Sequence, residues 1–120
     1  MGVPRDPAVL TQDALIGSSG VRVVRVVVTG GGGLVDVRYQ VLDAEKAASI
    51  HDAKRPPAVV EERTGTVLDR QWMGHDASQH ATKPGRTAYM LLLNPKESIQ
   101  AGSSVTVRLG DGELRHVLVR

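Results

Sequence analysis

The residue types best suited to chemistry are concentrated in one polar segment, residues 71–86 (QWMGHDASQHATKPGR). His75 and His80 stand five residues apart in it, and Met73 lies two residues before the first histidine. Imidazole and thioether ligands suit copper, whereas imidazole with carboxylate suits zinc or nickel. Because a loop can wrap such side chains around one ion, the segment indicates a copper or zinc site.

The two other histidines are reserve ligands for the same site. His51 and His116 fall near the ends of other segments, and the loops of a β-sandwich gather at its two ends. Two alternatives stay open beside metal binding. The loop histidines are either simply solvated on the surface, or they form a protonation switch near neutral pH.

The single tryptophan, Trp72, lies in the same segment. Tryptophan is enriched among residues that anchor protein partners, so Trp72 is the candidate partner-binding residue. The chain has only two tyrosines and no phenylalanine. Trp72 could therefore instead cap an aliphatic core that lacks other large residues.

Patterns typical of catalysis are missing from the sequence. With no cysteine, the chain has no thiolate metal site, cysteine nucleophile or disulfide. Glu61 and Glu62 are adjacent on a predicted strand and face opposite sides. The glycine run 30–33 leads into another strand and lacks the Lys-Ser/Thr pair of a phosphate-binding loop, so it predicts a hairpin turn. We expect a non-enzymatic protein.

Composition limits the class of protein further. The chain has 120 residues, 41% hydrophobic and 23% charged, which fits one globular domain. The net charge is only +2 and the basic residues do not cluster, so no nucleic-acid partner is expected. No run approaches the roughly 18–20 apolar residues of a membrane span.

Strand signals dominate the chain from residue 20 onward. Residues 34–42 alternate cleanly, with Val35, Val37 and Tyr39 on the side opposite to Asp36 and Arg38, a pattern that predicts one buried and one wet face. Asp43 is placed to cap a short helix over residues 44–48. The predicted strands are 21–29, 34–42, 58–62, 66–68, 87–93, 104–109 and 113–119.

Short strands separated by turns, without helices long enough for parallel crossovers, predict an all-β fold. We expect an immunoglobulin-like antiparallel β-sandwich of about seven strands over residues 20–120, with a small open β-barrel as the alternative. Residues 1–19 end in Ser and Gly and predict a flexible leader or linker. They contain no signal peptide, so the protein is either cytoplasmic, or periplasmic or extracellular after removal of a signal or an N-terminal tether.

The pattern GGLVDVRYQVLD (32–43), MGH (73–75), YMLLLNP (89–95) and AGSSVTVRLG (101–110) resembles small uncharacterised bacterial proteins that are often associated with the cell envelope. The resemblance covers residues 20–120. It implies a β-sandwich, a location in the envelope and a histidine-rich segment around MGH. In this chain His75 is kept, but the histidines of that segment are fewer.

The sequence thus predicts a non-enzymatic binding or interaction module with an unknown protein partner. One alternative is metal handling through Met73, His75 and His80. The other is a structural subunit that assembles through exposed strand edges.

Overall fold

The computed structural model describes residues 8–51, 54–72 and 87–120 and consists mainly of β-strands. Seven of the strands lie where the sequence predicts them, and a two-residue strand precedes them. The short helix capped by Asp43 is also confirmed: its carboxylate accepts the Lys46 N–H at 3.1 Å. The elements are β1 (Ala8–Val9), α1 (Gln12–Ser19), β2 (Val21–Thr29), β3 (Leu34–Val41), α2 (Ala44–Ala47), β4 (Ala58–Glu61), β5 (Val67–Leu68), β6 (Thr87–Leu93), β7 (Ser104–Leu109) and β8 (Gly112–Leu118).

The strands form two antiparallel layers, which confirms the β-sandwich rather than a closed barrel. One layer has the order β2-β3-β6, and the other has the order β8-β7-β4-β5 with β1 added parallel to β8. In the constant-type immunoglobulin arrangement, the fourth strand joins the sheet of the first two. Counted from β2, the fourth strand here is β5, and it pairs with β4 in the opposite sheet. The strand order therefore differs from the constant-type immunoglobulin arrangement.

The core between the layers is aliphatic, as the composition requires. The predicted alternation of β3 is confirmed on its inner side, where Val35, Val37 and Tyr39 are fully buried. On the outer side, the expectation that Asp36 is exposed to water is wrong, because only 8% of its surface is exposed. It lies between Val27 and Leu91 of the neighbouring strands, which are themselves half-buried.

The expectation of a flexible leader is wrong for residues 8–19; residues 1–7 lie outside the described part of the chain. The Thr11 hydroxyl caps α1 by accepting the Ala14 N–H at 3.2 Å, and Gly20 ends the helix in a left-handed conformation. Leu15 is fully buried in the core, and the Leu10 N–H donates to Glu113 O at 2.9 Å. Core packing thus makes these residues part of the domain.

Hydrogen bonds from other segments occupy both edges of the three-stranded sheet. The Gln12 side chain exchanges two hydrogen bonds with the Val23 backbone, at 2.7 and 3.2 Å, at the free edge of β2. Further along this edge, Val28 N–H donates to Arg120 O at 3.0 Å. At the other edge, the Trp72 N–H donates to Leu91 O of β6 at 2.8 Å. The two layers are therefore joined by backbone hydrogen bonds on both sides.

The turn over Gly30–Gly32 connects β2 to β3 as a hairpin, as predicted. Among the helices that the structure describes, none has both the length and the apolar character needed to cross a bilayer.

Candidate functional site

Most of the predicted metal ligands cannot be placed in the fold. Met73, His75 and His80 lie outside the described residues. His51 is the last residue of a 3-10 turn that follows α2, whereas His116 lies on β8. Within the described ranges, no three His, Asp or Glu side chains are grouped as ligands for an ion.

Trp72 lies on the surface beside the edge of β6. Its side chain is 47% exposed, and it does not belong to the cluster of buried core residues. This position differs from that of a residue that caps the core. It leaves an aromatic face in contact with solvent, next to the residues that line a cleft.

The cleft lies at the end of the sandwich and has a volume of about 690 Å³. This volume is typical of ligand sites, which span roughly 300–1,000 Å³. Three segments line it: the glycine turn at 30–33, residues 67–70 and residues 93–97. Connections at one end of a rigid sandwich are where binding residues are commonly carried.

The lining combines exposed apolar side chains with charges of both signs. Val67 is 46% exposed and Leu93 is 38% exposed. Contact of such side chains with a ligand would remove apolar area from water, at about 25 cal/mol per Å². The charged residues that line the cleft are Asp69, Arg70, Lys96 and Glu97.

Asn94 joins the glycine turn to the segment that follows β6 through hydrogen bonds. Its Nδ2 donates to Gly32 O at 2.9 Å and to Ile99 O at 2.8 Å, while its Oδ1 accepts the Ile99 N–H at 3.0 Å. Its backbone N–H also donates to Gly33 O at 2.9 Å. Asn94 is one of the residues that line the cleft, but it is only 2% exposed and its side-chain amide is engaged in these hydrogen bonds, so we assign it a positioning role.

Residues 96–97, which border the cleft, have a strained backbone conformation. Lys96 and Glu97 have φ angles of 59° and 50°, in the left-handed region. Residues other than glycine lose about 1–2 kcal/mol each in this conformation. Gly32 lies against the Glu97 carboxylate with a φ of 98°, so a side chain at position 32 would strain the backbone and displace that carboxylate. Strain of this kind concentrates at binding and switch sites.

A second polar cluster lies on the outer face of the five-stranded sheet, around Glu62. Its carboxylate accepts Ser104 Oγ (2.7 Å), Thr106 Oγ1 (2.9 Å), the His116 N–H (2.9 Å) and His116 Nδ1 (3.0 Å). Burial alone would raise the pKa of Glu62, but these hydrogen bonds outweigh it and lower the pKa to about 2.

A β-bulge in β8 brings His116 to this carboxylate. Residues 115–116 together lie opposite Thr106, and His116 has a φ of 61°. Bulges of this type re-aim a side chain. Because an ionised carboxylate only accepts hydrogen bonds, Glu62 fixes the proton of the neutral ring on Nδ1. Nε2 is then left as the acceptor on a side chain that is 80% exposed.

Sequence reasoning missed both the cleft and the Glu62–His116 pair. The four-glycine run and Asn94-Pro95 could be identified as turns from the sequence, but no local sequence pattern showed that these two turns lie side by side in the fold. Glu62 and His116 are 54 positions apart and become neighbours only through the pairing of β7 with β8 and β4.

No protein-family model, curated protein or solved structure matches this chain.

Proposed function

We propose that this protein is a non-enzymatic binding module that takes an extended peptide segment of a protein partner at the cleft. The single observation that carries the proposal is a cleft with exposed Val67 and Leu93, built on the buried Asn94 and bordered by a strained turn. Its location in the cell envelope rests on the sequence resemblance alone.

The sheet edge supports a peptide as the occupant. β5 is the outermost strand of its sheet, and both Val67 and Leu68 line the cleft. An extended peptide can add to such an edge through main-chain hydrogen bonds, while alternate side chains enter neighbouring pockets. The mixed charges of the lining suit the polar groups that flank an apolar anchor in a peptide.

Selection from a phage-displayed random peptide library, followed by affinity measurement on synthetic peptides, tests the proposal. Peptides selected on the protein should share an apolar residue. Replacing Leu93 by Thr should weaken their binding about tenfold, which corresponds to 1.4 kcal/mol, because the apolar floor of the cleft is lost.

The matched control is Leu118→Thr. Leu118 is also an exposed leucine at the end of a strand, 57% exposed, but it does not line the cleft. Its replacement should leave the affinity unchanged within about twofold. Equal loss in both variants, or a selection that yields no specific peptide, would contradict the proposal.

Assembly through strand edges has less support as a function. The edges of the three-stranded sheet are occupied by Gln12, Arg120 and the backbone of Trp72. The metal alternative rests on Met73, His75 and His80, so it stays a prediction from the sequence.

A further inference from the structure

We propose that the outer face of the three-stranded sheet is a second binding surface, which recognises an acidic peptide segment of a partner. The surface is the arginine face, defined by Arg22 and Arg25 on β2 and Arg38 on β3. It is independent of the cleft and does not rest on the function proposed for it.

Two of these arginines are direct cross-strand neighbours. Arg25 lies opposite Arg38 in the β2–β3 register, and the next pair, Val26 and Val37, is fully buried. Both arginines therefore project from the outer face. Directly opposed residues on antiparallel strands have Cβ atoms about 4.5–5.5 Å apart, and like charges at this distance destabilise the sheet.

Little on this face compensates the repulsion. Asp36 Oδ2 accepts Arg38 Nε at 3.3 Å, while Arg22 Nη2 donates to the neutral Gln40 Oε1 at 3.0 Å. Within the described part of the chain, Arg25 has neither a hydrogen bond nor an ion pair through its side chain. Among the described residues, this face therefore carries three guanidinium groups and one carboxylate, and only Arg38 contacts that carboxylate.

The opposite sheet shows that this surplus is local. There Arg108 and Arg115 both bind Glu113, at 3.2 and 2.9 Å, and Glu113 is only 4% exposed. The arginines of that outer face are paired within the fold. On the arginine face, a bound anion would supply the missing partner and relieve the repulsion between Arg25 and Arg38.

The chemistry of the face favours carboxylates of a peptide. A guanidinium presents a planar set of donors that matches a carboxylate in a bidentate geometry. Tyr89 continues the row beyond Arg38 and, among the residues that the structure describes, is the one aromatic side chain on this face. A single-stranded nucleic acid is typically held by several aromatic side chains on which its bases stack.

The test compares a fluorescent glutamate-rich peptide with its glutamine-substituted counterpart by anisotropy, for the protein and for Arg25→Glu. The protein should bind only the glutamate peptide, and more weakly as salt rises. Arg25→Glu should weaken this binding about tenfold or more. The same variant should raise Tm by about 2 °C, because an acid then faces Arg38. Lost binding in a more stable protein cannot come from misfolding.

Arg63→Glu is the control for net charge, since it changes the charge equally at a side chain that is 85% exposed on the hairpin between β4 and β5. Arg63 Nε lies 4.0 Å from Oε2 of the buried Glu61, so the Tm of this variant is measured alongside to show that it is folded. It should change the affinity by less than about twofold. Equal weakening by both variants would show that binding depends only on the net charge of the protein, and it would overturn the proposal. So would the absence of binding, or tighter binding of a single-stranded oligonucleotide of the same charge.

Discussion

Tyr39 brings a buried hydroxyl into the aliphatic core. The residue is fully buried, and its hydroxyl has no hydrogen-bond partner among the described residues; burial raises its pKa to about 12. A buried polar group without a partner costs about 1–3 kcal/mol. Tyr39→Phe keeps the ring and removes this cost, so we expect the free energy of unfolding to rise by about 1 kcal/mol in urea titrations. A loss of stability would mean that the hydroxyl is satisfied in solution.

Glu62 should make stability depend on acid pH. Its pKa is about 2 in the folded protein against an ordinary value of 4.5, so its ionised form stabilises the fold. This contribution is complete above pH 4.5 and is lost as the pH falls through 2. We expect Glu62→Gln to be less stable than the protein at neutral pH, and the difference to shrink between pH 4.5 and 2.

Denaturant titrations at a series of pH values measure this difference. Glu45→Gln, at an exposed glutamate on α2, is the matched control. A difference between Glu62→Gln and the protein that stays constant down to pH 2 would show that the hydrogen bonds to Glu62 do not depend on its charge.

At the scale of elements, α1 is the part of the fold with the clearest test. Leu15 is its fully buried side chain. Truncating a buried leucine to alanine removes apolar contacts and leaves a cavity, which costs about 2–5 kcal/mol. Leu15→Ala should lower the free energy of unfolding by that amount, whereas Asp13→Ala, at an exposed position of the same helix, should change it by less than about 1 kcal/mol. Equal effects would mean that α1 does not dock on the core in solution.

The same helix shows what the sequence could and could not predict. β3 was predictable because its inner residues alternate strictly, and α2 because Asp43 and three alanines mark a capped helix. In contrast, α1 ends in Gly17-Ser18-Ser19, residues that favour helices weakly and resemble a linker. Its stability comes from the contact of Leu15 with strands far along the chain, and no local pattern reports such a contact.

The binding surfaces were hidden for a related reason. The cleft depends on Asn94 reaching Gly32, 62 positions away, through its side chain. The arginine face depends on the register that sets Arg25 against Arg38. Periodicity predicts which side of a strand is buried, but it does not fix which residues of two strands become neighbours.

For the whole molecule, the state of the sheet edges predicts a monomer. β5, which the proposed peptide would join, is an open edge of only two residues, and very short edge strands resist pairing between molecules. Open edges are where sheets of different molecules pair, and here Gln12, β1 and Arg120 satisfy edge groups of β2 and β8. We expect light scattering to give the monomer mass at high concentration. Deleting residues 1–19 should uncover both strands and cause association that increases with concentration. A stable oligomer of the intact chain would instead support assembly as its role.

The parallel pairing of β1 with β8 joins Ala8 to Gly112, so the beginning of the sandwich is completed by its end. During synthesis on the ribosome, residues 8–19 emerge well before β8, the strand that they dock against. The earlier hairpin of β2 and β3 can form from neighbouring residues alone, but this seam cannot close until β8 has left the ribosome. Until then Leu15 stays accessible to chaperones, and a chain truncated before residue 112 would expose it permanently.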